Sequence, residues 1–266
     1  MQRHRTAAPV RDGGDIARLT EVDRILVDLA LSLGAEERQY PVLIARETLE
    51  QAEYPQAFPH LLFAAASALC PERDSPSLLE PDNLTRPCWC LSPAVCYHAY
   101  AEIAGRTVSA PIVLTALGRC FRNEATVQDG IRQIEFEMRE IVFAGPPEWV
   151  EAMAVAAERR LDKLLRFAGL EGTWEVAEDP FFLPTAGGKA MLQRLLQCKR
   201  EYRAVAPPGL ALVSINRHGA FFGERFEIHD VTGKPVHTAC LAVGLDRWLA
   251  CLNEMPLVES CHVLDD

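Results

Sequence analysis

The run RCFRNEATVQDGIRQIEFEMREIVF, residues 119–143, sets charged side chains among core-sized apolar ones on both sides of a polar, glycine-containing connection. Two β-like runs, VLTALGRCFRNE and RQIEFEMREIVF, flank TVQDG, the pattern of two antiparallel strands. Successive strand side chains point to opposite faces, so Arg122 and Glu124 share one face of the first strand, and Phe136, Met138 and Glu140 share one face of the second. Charges held among buried apolar groups can do chemistry, whereas on an ordinary amphipathic hairpin they only face water. A second reactive set is the nine cysteines, an odd number scattered without a repeating framework, which argues for thiols or a metal rather than disulfides and fits a reducing compartment. A third is Arg159, Lys163 and Arg166, a basic stripe at i, i+4, i+7.

The elements that must position these groups are legible in the periodicity. A chain of 266 residues holds one large α+β domain or two small ones and can bury a full core. Its 49% hydrophobic and 24% charged residues describe a globular protein, and no apolar run of about 18 residues is present to span a membrane. The start, MQRHRTAAPVRDGGD, is basic and lacks an apolar h-region, so residues 1–14 read as a disordered leader of a cytoplasmic protein and residues 15–266 as its one domain. Net charge is 27 minus 37, or −10, which argues against a protein whose main task is gripping a phosphate backbone. Residues 15–33 place Ile16, Leu19, Val22, Leu26, Leu29 and Leu33 at helical spacing and stop at Gly34. RQYPVLIARETLEQ follows as a short strand-like segment. Residues 146–170 begin with prolines and form a second helix, with Val150, Met153, Ala157, Leu161 and Leu164 roughly opposite the basic stripe, which in the commoner case is a solvated face. LALVSINR and RFEIHDV read as strands, and HTACLAVGLDRWLACLNE as a strand or turn entering a helix.

In this order the pieces resemble the catalytic domain of class II aminoacyl-tRNA synthetases. FRNE (121–124) matches the family's Phe-Arg-x-Glu, IEFEMRE (134–140) its returning strand, and AVGLDR (242–247) its third motif, Gly-x-Gly-x-x-Arg, with Ala242 in place of the first Gly. Pro41 sits where the first motif puts its dimer-interface proline. The resemblance implies an α+β fold, a mostly antiparallel sheet flanked by helices, and a homodimer through residues 15–41. A synthetase also needs a tRNA-binding appendage with a basic footprint, and this chain shows neither. SPAVCYHAY, DPFF, SINRHGAFFGERFEI and HTACLAVGLDRW resemble the truncated relatives of archaeal-type seryl-tRNA synthetases, the amino acid:[carrier protein] ligases. These make an aminoacyl adenylate and deliver its amino acid to the phosphopantetheine thiol of a carrier protein.

That resemblance assigns roles. Activation attacks the α-phosphate of ATP with a carboxylate, and positioned arginines neutralise the developing charge. Arg122 would hold the α-phosphate and substrate carboxylate, Glu124 would accept from the adenine amino group, Phe136 would stack on the base, and Arg132 and Arg247 would clamp the β and γ phosphates. The family binds Zn2+ through Cys, Glu and Cys and leaves a fourth position for the substrate amino group. Cys96, Glu140 and Cys240 occupy the matching places. Cys88 and Cys90 form a rival C-x-C pair, and Glu135 and Glu137 rival Glu140 but point to the face opposite Phe136. Cys70, Cys120, Cys198, Cys251 and Cys261 read as plain buried thiols.

The substrate implied is a small amino acid, glycine or alanine, with Asn216 in the segment lining its pocket. Mg2+ would accompany ATP, with Lys199, Glu201, Glu224 and Glu227 as candidate nucleotide or Mg2+ contacts. The carrier protein, typically acidic, would dock on the helix of residues 148–167 through Arg159, Lys163 and Arg166, because a local basic stripe offsets repulsion between two acidic proteins. Two other readings are a seryl-tRNA synthetase-like enzyme charging tRNA with its appendage on another chain, and an inactive paralogue acting as a binding module. Intact Arg122, Glu124 and Arg247 speak against the last.

Overall fold

The structure is a computed structural model that describes residues 7–69, 80–128, 130–177 and 198–252. The DPFF stretch, Cys70 and Cys261 lie outside the described residues. Helix α1 (Gly13–Ser32) begins where the Asp12 side chain accepts from the Asp15 amide at 2.9 Å, and the chain turns away at Gly34, whose φ of +82° favours glycine. Short strands β1 (Glu36–Arg38) and β2 (Leu43–Ala45), helices α2 (Arg46–Gln51) and α3 (Tyr54–Ala57), and strands β3 (Ala64–Ala65) and β4 (Trp89–Leu91) follow. Helix α4 (Cys96–Glu102) and strand β5 (Thr107–Val108) lead into the hairpin of β6 (Ile112–Phe121) and β7 (Glu135–Gly145). Helix α5 (Pro147–Phe167) has Pro at its first position, where its missing N–H costs nothing. Strands β8 (Gly172–Val176), β9 (Lys199–Ala204) and β10 (Ala211–Gly219), helix α6 (Phe221–Arg225), strands β11 (His229–Asp230) and β12 (His237–Gly244), and helix α7 (Leu245–Cys251) complete the described chain.

Seven strands form one sheet in the order β1-β6-β7-β12-β10-β9-β8; only the β1–β6 pair is parallel. Alternation along β7 sorts its side chains between two cores. Ile141 and Phe143 join residues of α1, α5 and α7, including Leu26, Leu161 and Trp248. Val142 and Ala144 join α4 and α6 through Tyr100, Phe222 and Phe226. The α+β architecture implied by the resemblance, a mostly antiparallel sheet flanked by helices, is what forms.

Four local expectations change; one is that RFEIHDV, read as a strand, is the end of α6 and a turn leading into the two-residue β11. Ile16 is exposed, so the buried stripe of α1 starts at Leu19. Strand β6 ends at Phe121, so Arg122 and Glu124 do not share a strand face. The Arg122 amide still bonds the Ile134 carbonyl at 2.9 Å, but the Asn123 amide turns to the Leu61 carbonyl at 3.0 Å, and this non-local bond ends the ladder. The leader read over residues 1–14 is anchored from residue 7 onward. The Ala7 carbonyl accepts from the Ile134 and Glu135 amides, both at 3.1 Å, and Arg11 pairs with Glu137 and Asp246.

Arg139, one residue before Glu140, points to the α1 core with 3% of its side chain exposed and is neutralised by Asp23 at 2.6 Å, with the more exposed Glu37 at 3.1 Å. Asp23→Ala leaves that cation underpaired in a dry place and is expected to lower unfolding free energy by about 3 kcal/mol. Combining it with Arg139→Met is expected to recover most of the loss, as measured by denaturant unfolding of the three variants.

Candidate functional site

Strand parity carries Glu140 to the face covered by α4, opposite Arg139. Both its carboxylate oxygens accept backbone amides at the start of that helix, Val95 N at 2.9 Å and Cys96 N at 3.2 Å. Cys96 opens α4, and Cys240 arrives from β12, which pairs antiparallel with β7. One ligand atom from each of Cys96, Glu140 and Cys240 lies within 4.8 Å of the others, and all three residues are buried. Asn216, directly opposite Cys240 on β10, donates to its sulphur at 3.4 Å and to Ser214 Oγ at 3.3 Å. His218 places Nε2 at 4.0 Å from the same sulphur, while its Nδ1 lies 3.3 Å from the Tyr100 hydroxyl and 3.2 Å from that of Thr238.

The electrostatics suit a cation. Burial, reinforced by Cys240, pushes the Glu140 carboxyl up to about 8, against the pull of the Val95 amide, Cys96 and Arg122. A hydrogen bond from Cys96, then the proximity of His218 and Asn216, holds the Cys240 thiol well below its usual range, and the same bond together with burial pushes Cys96 well above it. Three buried groups that ionise to anions converge, and two thiolates plus a carboxylate form a donor set that borderline-soft Zn2+ accepts. The rivals are placed elsewhere. Glu135 and Glu137 pair with Arg119, at 3.1 and 3.5 Å, on the other side of the strand. Cys90 is buried with Ile44, Leu49 and Tyr54, and Cys88 is exposed.

The arginines gather next to this cluster, at the loop end of the hairpin. Arg122 lies over the Phe136 ring, 5.1 Å from its centroid, and donates Nε and Nη2 to the Pro93 carbonyl at 3.2 Å. Arg247, in the first turn of α7, donates to the Ile131 carbonyl at 3.0 Å and the Ala211 carbonyl at 2.7 Å. Burial lowers its pKa, and the nearby Arg122 and Arg132 lower it further, so the three guanidinium groups lie in one another's field. Arg132 pairs with Glu124 at 3.0 Å. Glu201 is buried on β9, held by Lys199 at 3.2 Å and by Arg203, and close enough to act on Arg247. Such a concentration of cationic charge, with Arg122 and Arg247 half-buried and Arg132 exposed, favours a polyanionic ligand. Glu224 and Glu227 are exposed on the α6 side.

Arg159, Lys163 and Arg166 are exposed on α5. Two acids of that helix turn to the sheet, Glu151 to Arg217 at 2.9 Å and Glu158 to Arg200, while Arg166 pairs with Asp162 of its own helix. The helix lies across the sheet from the Cys96–Glu140–Cys240 cluster. Of the other thiols, Cys120 is buried, whereas Cys198 and Cys251 are partly exposed and depart from the expected burial. His218, Tyr100 and Ser214 were not assigned from the sequence. Asn216 and His218 are two apart on one strand and share a face, which is the signal that finds the histidine once Asn216 is placed.

No protein-family model matches the chain. It is 32% identical over 233 residues, 80% of its own length and 69% of the relative's, to amino acid–[acyl-carrier-protein] ligase 1 of Bradyrhizobium diazoefficiens. It is 28% identical over 256 residues to the type-2 serine–tRNA ligase of Methanocaldococcus jannaschii, covering 85% of this chain and 48% of that one. In fold it is similar to the M. kandleri seryl-tRNA synthetase solved in complex with A. aeolicus tRNASec, with a TM-score of 0.75 at 20% identity, over 91% of this chain and 55% of that chain. The described sheet and its helices are the class II synthetase architecture.

Proposed function

This chain belongs to the family of amino acid–[acyl-carrier-protein] ligases, and we propose that it uses ATP to activate glycine or alanine and passes the aminoacyl group to the phosphopantetheine thiol of a carrier protein. In the first step a carboxylate oxygen of the amino acid attacks the α-phosphorus of ATP, and the bond to pyrophosphate breaks. In the second the thiol sulphur attacks the carbonyl carbon, AMP leaves with the bonding pair, and the thiol proton is lost. The observation that carries this reading is that Arg122 donates to the Pro93 carbonyl at 3.2 Å, two residues before Val95, whose amide bonds Glu140 at 2.9 Å, so the guanidinium and the cluster are held by one short stretch of chain. An α-amino acid, whose amino and carboxylate groups are one carbon apart, can then reach the cluster with one end and Arg122 with the other.

The remaining roles follow that orientation. Cys96, Glu140 and Cys240 would hold Zn2+, which supplies an electrophilic anchor for the substrate amino group, and Asn216 lines the same pocket. Val95, Met138 and Ala242 form an apolar wall beside the cluster, which suits a side chain no larger than a methyl group. Arg122 and Arg247 stabilise charge developing at the phosphates, Phe136 and Glu124 receive the adenine, and Arg132 exchanges Glu124 for a phosphate oxygen. Mg2+ accompanies ATP, and Glu201 beside Arg247 is the acid best placed for it. Exposed Val42, Leu43 and Trp89 around Pro41 support a homodimer through this region. No helix among the described residues is long and apolar enough to cross a membrane.

The deciding experiment is amino-acid-dependent pyrophosphate exchange over the twenty amino acids, followed by transfer to a phosphopantetheinylated carrier protein or to bulk tRNA. Exchange with glycine or alanine and loading of the carrier are expected; charging of tRNA instead would favour the seryl-tRNA synthetase-like reading that the archaeal similarity keeps in view. Arg122→Ala and Arg247→Ala are each expected to slow exchange by about a hundredfold or more, the order seen when one preorganised transition-state contact is removed. Near-normal exchange in both would make these arginines structural. Metal analysis is expected to find one zinc per chain, lost in the Cys96→Ser, Cys240→Ser double variant; full retention there would sink the assignment.

The carrier is proposed to dock on α5 through Arg159, Lys163 and Arg166, with its thiol arm rounding an edge of the sheet to reach the cluster. Contacts at such a rim mainly raise the association rate and are screened over a Debye length of about 8 Å at physiological salt. Replacing all three by Glu is expected to slow thiol loading while pyrophosphate exchange stays at the wild-type rate. Wild-type loading in low salt would move the docking surface elsewhere.

A further inference from the structure

Arg11 belongs to a segment whose composition suggested no role, yet it sits where the two halves of the nucleotide site meet. Its guanidinium donates to Asp246 Oδ1 at 2.6 Å and pairs with Glu137. The second oxygen of Asp246 accepts the backbone amide of Glu137 at 2.7 Å. Asp246 therefore ties the first turn of α7 to the start of β7, and Arg11 holds that tie in place. The residues on either side are the ones proposed to bind ATP: Arg247 follows Asp246, and Phe136 precedes Glu137. The preceding residues reinforce the arrangement, since the Ala7 carbonyl accepts both the Ile134 and the Glu135 amides at 3.1 Å.

The charges explain why an arginine is needed. Two carboxylates share one guanidinium, and the Asp246 side chain is 6% exposed, so water screens it poorly. Without the cation, like charges at this distance repel and a buried carboxylate is left underpaired. The nearest other cation on Glu137 is Arg119, at 3.5 Å with 59% of its side chain exposed, which neutralises little. Asp246 would then turn away and release the Glu137 amide, freeing β7 and α7 to shift independently.

We infer that Arg11 is a positioning residue of the nucleotide site, a clamp that fixes Phe136 and Arg247 relative to each other by bridging Glu137 and Asp246. The consequence for ATP rests on the function proposed above; the clamp itself does not. The test uses the full chain with Arg11→Ala and Arg11→Lys. In pyrophosphate exchange, Arg11→Ala is expected to raise the KM for ATP by about tenfold or more, the loss typical of removing a charge-assisted hydrogen bond, with the KM for the amino acid unchanged within about twofold. Arg11→Lys, which keeps the charge but loses the two-pronged geometry, is expected to fall between. Amide hydrogen exchange without substrate is expected to show lost protection at Ile134, Glu135 and Glu137 in Arg11→Ala. Wild-type KM for ATP, a parallel rise in both KM values, or unchanged protection would each overturn the inference. If the wild-type protein shows no exchange activity, the proposed function fails while the protection measurement still decides the clamp. If Arg11→Ala does not fold, Arg11→Lys decides it by the same readouts.

Discussion

The site depends on one buried carboxylate. Glu140 reaches the dry face of the sheet because of its place in the two-residue alternation of β7, and it is tolerated there because the opening amides of α4 take both its oxygens. An unpartnered carboxylate in such a place is costly. Those bonds also locate α4, and therefore the Cys96 thiol, over the middle of the sheet. Close approach makes this possible. A Cβ on Gly118, on the strand beside β7, would lie 2.7 Å from Val95 Cγ2, so only glycine there lets the Val95 amide come down to the carboxylate. Cys240 then completes the group from β12, in register with Asn216.

The many charges of the hairpin find their explanation in the same alternation. Arg139 and Glu140 are consecutive and both buried, and they serve opposite faces, one locking α1 to the sheet through Asp23 and the other organising α4. Arg119 is solvated and reaches Glu135 and Glu137, the second of which is partly buried and also paired with Arg11. Arginine suits the buried position of Arg139 and the half-buried ones of Arg122 and Arg247 because its several donors are satisfied by carboxylates or backbone carbonyls, in the last two by Pro93, Ile131 and Ala211.

What the sequence revealed was mostly what is local. Helices α1 and α5 and the strand parity of Phe136, Met138 and Glu140 are periodic within a few turns or residues, and all three form. The end of β6 was misplaced because the bond that ends it comes from Leu61, far away in the chain. Cys96 lies 44 residues from Glu140 and has no local spacing to mark it; only the resemblance to a family singled it out. Arg11 was invisible for the same reason, its partners being 126 and 235 residues distant, so a composition that reads as disordered hides an anchor. His218 needed no long-range knowledge, only the step of two from Asn216.

The sheet separates α5 from the thiol–carboxylate cluster, and this arrangement bears on the order of events. A macromolecule resting on the outer side of α5 leaves the opposite face, where Arg122 and the cluster lie, unobstructed. Small reactants can therefore exchange while the body of the larger partner stays bound, and only its thiol arm has to wait until the adenylate has formed. On the docking proposed above, the body of the partner can associate before or after the adenylate forms, which a two-faced layout allows and a single crowded mouth would not.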